Sequence, residues 1–97
     1  MTVRNDGQAP LGDIELIVES HATGDRALRK EIRILKPGDA VSFRFHELNP
    51  TAKLRFRIGG KTFVYDEDFD LWAGEGWILA VDSHGAVSSL YESTAAD

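Results

Sequence analysis

The chain contains no cysteine. That removes disulfides, thiolate nucleophiles and cysteine-based zinc sites together, while leaving the compartment open. No apolar run approaches the roughly eighteen residues a membrane-spanning helix needs. Thr2 to Gly7 are polar apart from Val3, so the start lacks the basic-then-apolar order of a secretory signal. As it stands the chain reads as cytoplasmic; a leader missing ahead of Met1 would make it periplasmic or secreted. No window sustains a helical period. Phosphate-cradling glycine loops are also missing, since Gly59-Gly60 is a lone pair of hairpin type. Asp82, Ser83 and His84 are neighbours in one tight turn, and a Ser–His–Asp relay needs convergence in space instead. The expectation is therefore a protein without catalytic activity and without a cofactor. With a pI near 5.1, nucleic acid is not an expected partner.

What is present is an ordinary globular composition, 42% apolar in 97 residues, with an uneven distribution of charge. Ten of the eleven Lys and Arg residues fall between Arg26 and Lys61, with only Glu31, Asp39 and Glu47 as acids, a net +7. The flanks hold the other thirteen acids and Arg4 alone, a net −12. If that segregation survives folding, a basic field lies beside an acidic one, and oriented charge of this kind steers association without specifying a fold.

Period-two alternation recurs along the chain, with turn residues every seven to twelve positions. Thr2 to Arg4 forms a short first strand closed by Asn5-Asp6-Gly7, and a second runs from Asp13 to Ser20. Leu28, Lys30, Ile32 and Ile34 share one face of a third; good helix formers make 25–35 the one place where a helix competes. Lys36-Pro37-Gly38-Asp39 turns the chain into Val41, Phe43 and Phe45, and Leu48 to Thr51 breaks that strand. Leu54 to Ile58 and Lys61 to Asp70 follow, then a loop from Leu71 to Gly76, then strands at Trp77 to Val81 and Ala86 to Tyr91. Seven or eight short antiparallel strands predict an all-β, two-sheet sandwich over residues 1–91, with 92–97 as a flexible tail; a small closed barrel is the alternative.

Val3-Arg4-Asn5-Asp6-Gly7, Pro10-Leu11-Gly12-Asp13-Ile14, Leu35-Lys36-Pro37-Gly38-Asp39 and Val81-Asp82-Ser83-His84-Gly85-Ala86-Val87 carry a resemblance. Together they resemble small bacterial immunoglobulin-like sandwich domains of secreted proteins and lipoproteins, often without assigned activity. The resemblance implies an antiparallel immunoglobulin-like sandwich and transfers no functional residue, because the shared motifs are turn chemistry.

Four candidate sites follow from the residues. Arg29, Arg33, Arg44, Lys53, Arg55 and Arg57 each hold the polar parity of a strand, and they form one basic face if those strands share a sheet. Such a face binds an acidic partner, or simply protects strands from sheet-to-sheet aggregation, and its mutual repulsion calls for compensating acids from the flanking strands. Asp66, Asp68 and Asp70 share parity and offer hard oxygen donors to a divalent cation. The run begins like a Ca²⁺ loop, yet Leu71 stands where that loop needs glycine and Trp77 where it needs glutamate. His21 and His46 join those acids in a metal site only if the intervening turns emerge at the same end. Trp72, in a glycine-flanked loop, either stacks on a sugar or plugs the core. The leading expectation is a non-enzymatic interaction or accessory domain, partnered by another protein or by its own copy. A binding module for a cation or carbohydrate through residues 66–77 is the competing one.

Overall fold

Hydrogen-bonded strands take up the alternating segments, and they assort by sheet rather than by chain order. The computed structural model describes residues 1–19, 26–44, 47–48, 51–68, 72–73 and 76–91. Its strands are β1 (Thr2–Asn5), β2 (Leu11–Glu19), β3 (Arg26–Leu35), β4 (Ala40–Ser42), β5 (Glu47–Leu48), β6 (Thr51–Ile58), β7 (Lys61–Asp68), β8 (Trp72–Ala73), β9 (Trp77–Val81) and β10 (Val87–Tyr91). One sheet runs β3-β2-β6-β7 and is antiparallel throughout. The other runs β10-β9-β1-β4 and is mixed, because β1 lies parallel to β9 and antiparallel to β4. β5 and β8 form a two-residue ladder of their own. The protein is an all-β two-sheet sandwich, and no helix occurs among the described residues.

Alternation gives each sheet one inner face. Val3, Leu79 and Val81 from the mixed sheet close on Leu16, Val18, Leu54 and Phe56 from the antiparallel one, all fully buried. Each such side chain contributes roughly 1.5–3 kcal/mol through removal from water. Aromatic pairs close the sides. Phe56 stacks on Phe63 at 5.4 Å, and Trp77 meets Tyr91 edge-on at 5.1 Å.

A bulge in β2 changes which residues reach that core. Gly12 pairs with Arg57 and Glu15 with Arg55, so β2 spends one extra residue between two adjacent outer positions of β6. The extra residue is Asp13, whose φ of 46° lies in the left-handed region that Asp tolerates better than most residues. The parity shift corrects the expected inner set. Leu11 and its partner Leu35 are buried, whereas Ile34, opposite Gly12, is 55% exposed.

Other expectations change as well. The all-antiparallel arrangement fails at β1–β9. Residues 26–35 are strand, as the alternation implied, and not the competing helix. β4 ends at Ser42, short of the strand predicted through Phe45, and belongs to the mixed sheet rather than beside β3 and β6. The expected loop at 71–76 contains β8. Phe45 and the tail 92–97 lie outside the described residues.

Asn5-Asp6-Gly7 is more than a turn. Asn5 is completely buried, the one polar residue in that state among the described residues. Its Nδ2 donates to the carbonyls of Ala9 and Leu35, both at 2.9 Å, and its Oδ1 accepts from Gly7 N. Its backbone accepts from Gly38 N and donates to Asp39 O. One residue thus fastens β1 to the entry of β2 and the end of β3 through its side chain, and to the turn beyond β3 through its backbone. A buried polar group is tolerated when it is satisfied this fully.

Two glycines mark close approaches. A Cβ on Gly7 would stand 2.8 Å from Ser83 N, and one on Gly85, at φ 83°, would stand 2.3 Å from the Phe63 ring. The β9–β10 turn is therefore seated against β7. Asp82 organises that turn by accepting at Oδ1 from the backbone amides of Ala86 and His84, which hold its carboxyl below the usual range.

Candidate functional site

The outer face of the antiparallel sheet gathers most of the candidate cations. Across neighbouring strands the register aligns Arg29, Ile17, Lys53 and Asp66 in one row, and Glu31, Glu15, Arg55 and Val64 in the next. Arg33, Asp13, Arg57 and Thr62 follow beside the bulge. Lys30 holds the opposite parity, paired with inward Leu16. Arg44 is exposed and follows β4 of the other sheet, so it does not join this face.

The rows bring acids from the flanking strands among these cations, so the face is mixed in charge and not a continuous basic field. Strand β2 comes from the acidic flank of the sequence, yet it sits between basic β3 and β6 and inserts Asp13, Glu15 and Glu19 among their arginines and lysine. β7 borders the other side with Asp66 and Asp68. Among the described residues the face holds five cations and six acids. Folding converts a charge segregation along the chain into alternation in space.

Glu15 is the centre of that alternation, with a side chain only 17% exposed. It faces Glu31 directly across the β2–β3 ladder, an arrangement that repels. Arg29 resolves the conflict, because its Nη2 donates to Glu15 Oε2 at 2.6 Å and to Glu31 Oε1 at 2.7 Å. The hydrogen bond to Glu15, followed by the charge of Glu31, holds the guanidinium still more firmly protonated. From the other side Arg55 Nη2 lies 3.6 Å from Glu15 Oε1. Lys53 reaches Glu19 at 3.5 Å, and Arg57 reaches Asp13 at 3.3 Å. Arg33 is exposed and makes no ion pair among the described residues.

The bulge also shapes the surface. An open depression of about 690 Å³ lies over it, lined by Asp13, Glu15 and Glu31 and by Arg33, Arg55 and Arg57. A shallower recess of about 300 Å³ continues it past Gly12 to Ile34 and Pro10, sharing Asp13 and Arg57. Gly12 brings no side chain to the outer face, which leaves the flanking arginines standing around a gap. The face thus offers cations, anions and one apolar end within a single groove.

The remaining candidates are placed as follows. Asp66 and Asp68 are exposed on the outer side of β7, and Thr51 Oγ1 donates to Asp68 Oδ1 at 2.7 Å. Asp70, His21 and His46 lie outside the described residues. Among the described residues no group of three or more His, Asp or Glu side chains is placed to hold a metal ion. Trp72 pairs through its backbone with Leu48, and its indole lies outside the described part of the structure. No helix among the described residues is long and apolar enough to cross a membrane.

The groove also takes in Asp13, Glu15, Ile34, Pro10 and Thr62, none of which the sequence marks as a site residue. A signal for the first existed, since Gly12-Asp13 interrupts an otherwise apolar-alternating strand, a usual mark of a bulge. No family model matches the chain, and neither a curated protein nor a solved structure matches it.

Proposed function

We propose that this chain is a non-enzymatic interaction domain, an immunoglobulin-like accessory sandwich, that docks an acidic segment of another protein on the outer face of β3-β2-β6-β7. The observation that carries this reading is the depression over the β2 bulge. There Arg33 stands without an ion pair among the described residues, and Arg55 is held to Glu15 only at 3.6 Å. Exposed pairs such as Arg57–Asp13 are each worth at most about 1 kcal/mol. A partner's carboxylates therefore exchange with them at little cost, and Arg33 gains a partner outright. Arginine suits this role because its planar fork takes a carboxylate through two parallel hydrogen bonds. Ile34 and Pro10 at the apolar end give the incoming segment a direction.

The test is a heteronuclear NMR titration with a glutamate-rich peptide as probe. The reading expects amide shifts concentrated at Arg33, Arg55 and Arg57, erased by about 0.5 M NaCl, where the screening length is only a few ångströms. Arg33→Glu combined with Arg55→Glu abolishes the response while leaving the spectrum folded. Equal shifts in wild type and variant, or none in either, defeat the proposal. Shifts on adding Ca²⁺ or sugars, centred on residues 66–77, would favour a ligand-binding module instead.

A further inference from the structure

We infer that β10 is a self-association edge, on which a second copy of the chain adds its own β10 antiparallel about Ser89. Among the described residues the sandwich has four outer strands: β3 and β7 in one sheet, β4 and β10 in the other. An open strand edge displays unpaired N–H and C=O groups, and proteins blunt such edges with charge, proline, bulges or brevity. β3 carries Arg26, Arg29, Lys30, Glu31 and Arg33, and β7 carries Lys61, Asp66, Glu67 and Asp68. β4 is three residues long and follows Asp39. β10, Val87-Ser88-Ser89-Leu90-Tyr91, has none of these protections. It holds no charge, no proline and no irregularity in its pairing with β9. Leu90 and Tyr91 on it are 43% and 60% exposed.

Hydrogen-bond phase fixes which backbone groups are on offer. Asp82 N donates to Ala86 O, and in an antiparallel pair hydrogen-bonded positions alternate. Ser88 and Leu90 therefore bond inward to Ala80 and Ile78, while Val87, Ser89 and Tyr91 turn their N–H and C=O groups away from β9. The far side of β9 agrees, because Val81 O, opposite Val87, accepts from Asp6 N.

The second copy is the occupant that suits this edge. The chain carries net charge −5, so two copies repel unless they meet through neutral residues, and this strand is neutral over its whole length. Its sequence is self-complementary about Ser89. Val87 falls opposite Tyr91, Ser89 opposite Ser89, and Ser88 opposite Leu90. The inner row then sets a β-branched residue beside an aromatic one, a favourable cross-strand pair. The outer row continues Ile78 and Leu90 across the junction. The product is one sheet running through both molecules, with the charged faces of the two antiparallel sheets left accessible. Five residues per copy bury less than the about 1,200 Å² of a standard interface, so the dimer is weak and concentration-dependent.

Sedimentation equilibrium across a wide concentration range, with three proteins, decides the matter. Wild type is expected to dimerise reversibly. Ser88→Lys, which changes an exposed side chain and adds edge charge, should weaken dimerisation by about tenfold or more with no loss of fold by circular dichroism. Ser88→Cys with Leu90→Cys introduces the only thiols in the chain. In the inferred register those positions form a non-hydrogen-bonded pair with Cα atoms about 4.5 Å apart, inside the range a disulfide spans. Mild oxidation should therefore yield a covalent dimer. A wild type that stays monomeric at the highest concentration overturns the inference, and so does a Ser88→Lys protein that dimerises as well as wild type. A dimer that refuses the cross-link overturns the register. A monomer that instead binds an added extended peptide along β10 assigns the edge to a different partner.

Discussion

On the antiparallel sheet the outer face is filled with ions, and Arg29, Lys53, Arg55 and Arg57 each stand beside an acid from a neighbouring strand. The outer face of the mixed sheet is built from Thr2, Ala40, Ser42, Ile78, Ala80, Ser88 and Leu90. Within these four strands, among the described residues, its charged side chain is Arg4, which folds onto Asp6 at 2.6 Å. Inside, the contrast reverses. The mixed sheet contributes the buried hydrogen-bonded Asn5 and the tight β9–β10 turn, whereas the antiparallel sheet contributes mainly apolar side chains. Exposed, redundant charges contribute little to stability one by one and can be redirected to a partner. Buried, single polar contacts cannot be spared.

Four substitutions and one titration test that division, beginning with the largest effect. Asn5→Leu strips partners from two carbonyls and the Gly7 amide in the closed end of the core, so it should destabilise by about 3–5 kcal/mol. The measurement is the urea midpoint at unchanged slope, and a loss below about 1 kcal/mol would dissolve the contrast. Gly85→Ala drives a methyl group into the Phe63 ring from a backbone that disfavours side chains, and should cost about 2–3 kcal/mol. On the charged face Arg57→Gln should cost less than about 1 kcal/mol in the same assay. Ser89→Ala should be neutral or stabilising by up to about 1 kcal/mol, because the Ser89 hydroxyl is buried without a hydrogen-bond partner among the described residues.

The titration concerns β7. Burial, with the hydrogen bond to Glu67 second, pushes the Tyr65 phenol up to about 12 from its usual 10.0. A raised folded-state value means the folded protein holds its proton longer than the unfolded chain. The stability this gives is complete below pH 10.0 and is lost as pH rises through about 12. Ultraviolet titration of a Tyr91→Phe protein should show the late phenol, and adding Glu67→Gln should bring it part of the way back.

Much of the architecture was legible because half-buried strands advertise themselves. The parity of Arg29, Lys53, Arg55 and Arg57 was readable for that reason, and so were the turns at Gly59-Gly60 and Asp82 to Gly85. Strand order was not legible. No local signal tells β2 to enter between β3 and β6, and that single placement decides whether the surface is a basic field or a lattice of opposite charges. Ile34 and Leu35 exchanged roles for a related reason, since a bulge on one strand moves the parity of its partner. Asn5 has the signature of a turn residue because asparagine in such a motif usually is one; its burial depends on Leu35, thirty residues away in sequence, which no local pattern brings to it.

The parallel pairing of β1 with β9 governs how the chain can be assembled. During synthesis the β2–β3 and β6–β7 hairpins have their partners within reach soon after they emerge, so the antiparallel sheet can form early. β1 is made first but must wait, its side toward β9 unpaired, until Val81 has left the ribosome. Closure of that long loop is the step a chaperone, or a slowed ribosome, would have most reason to protect.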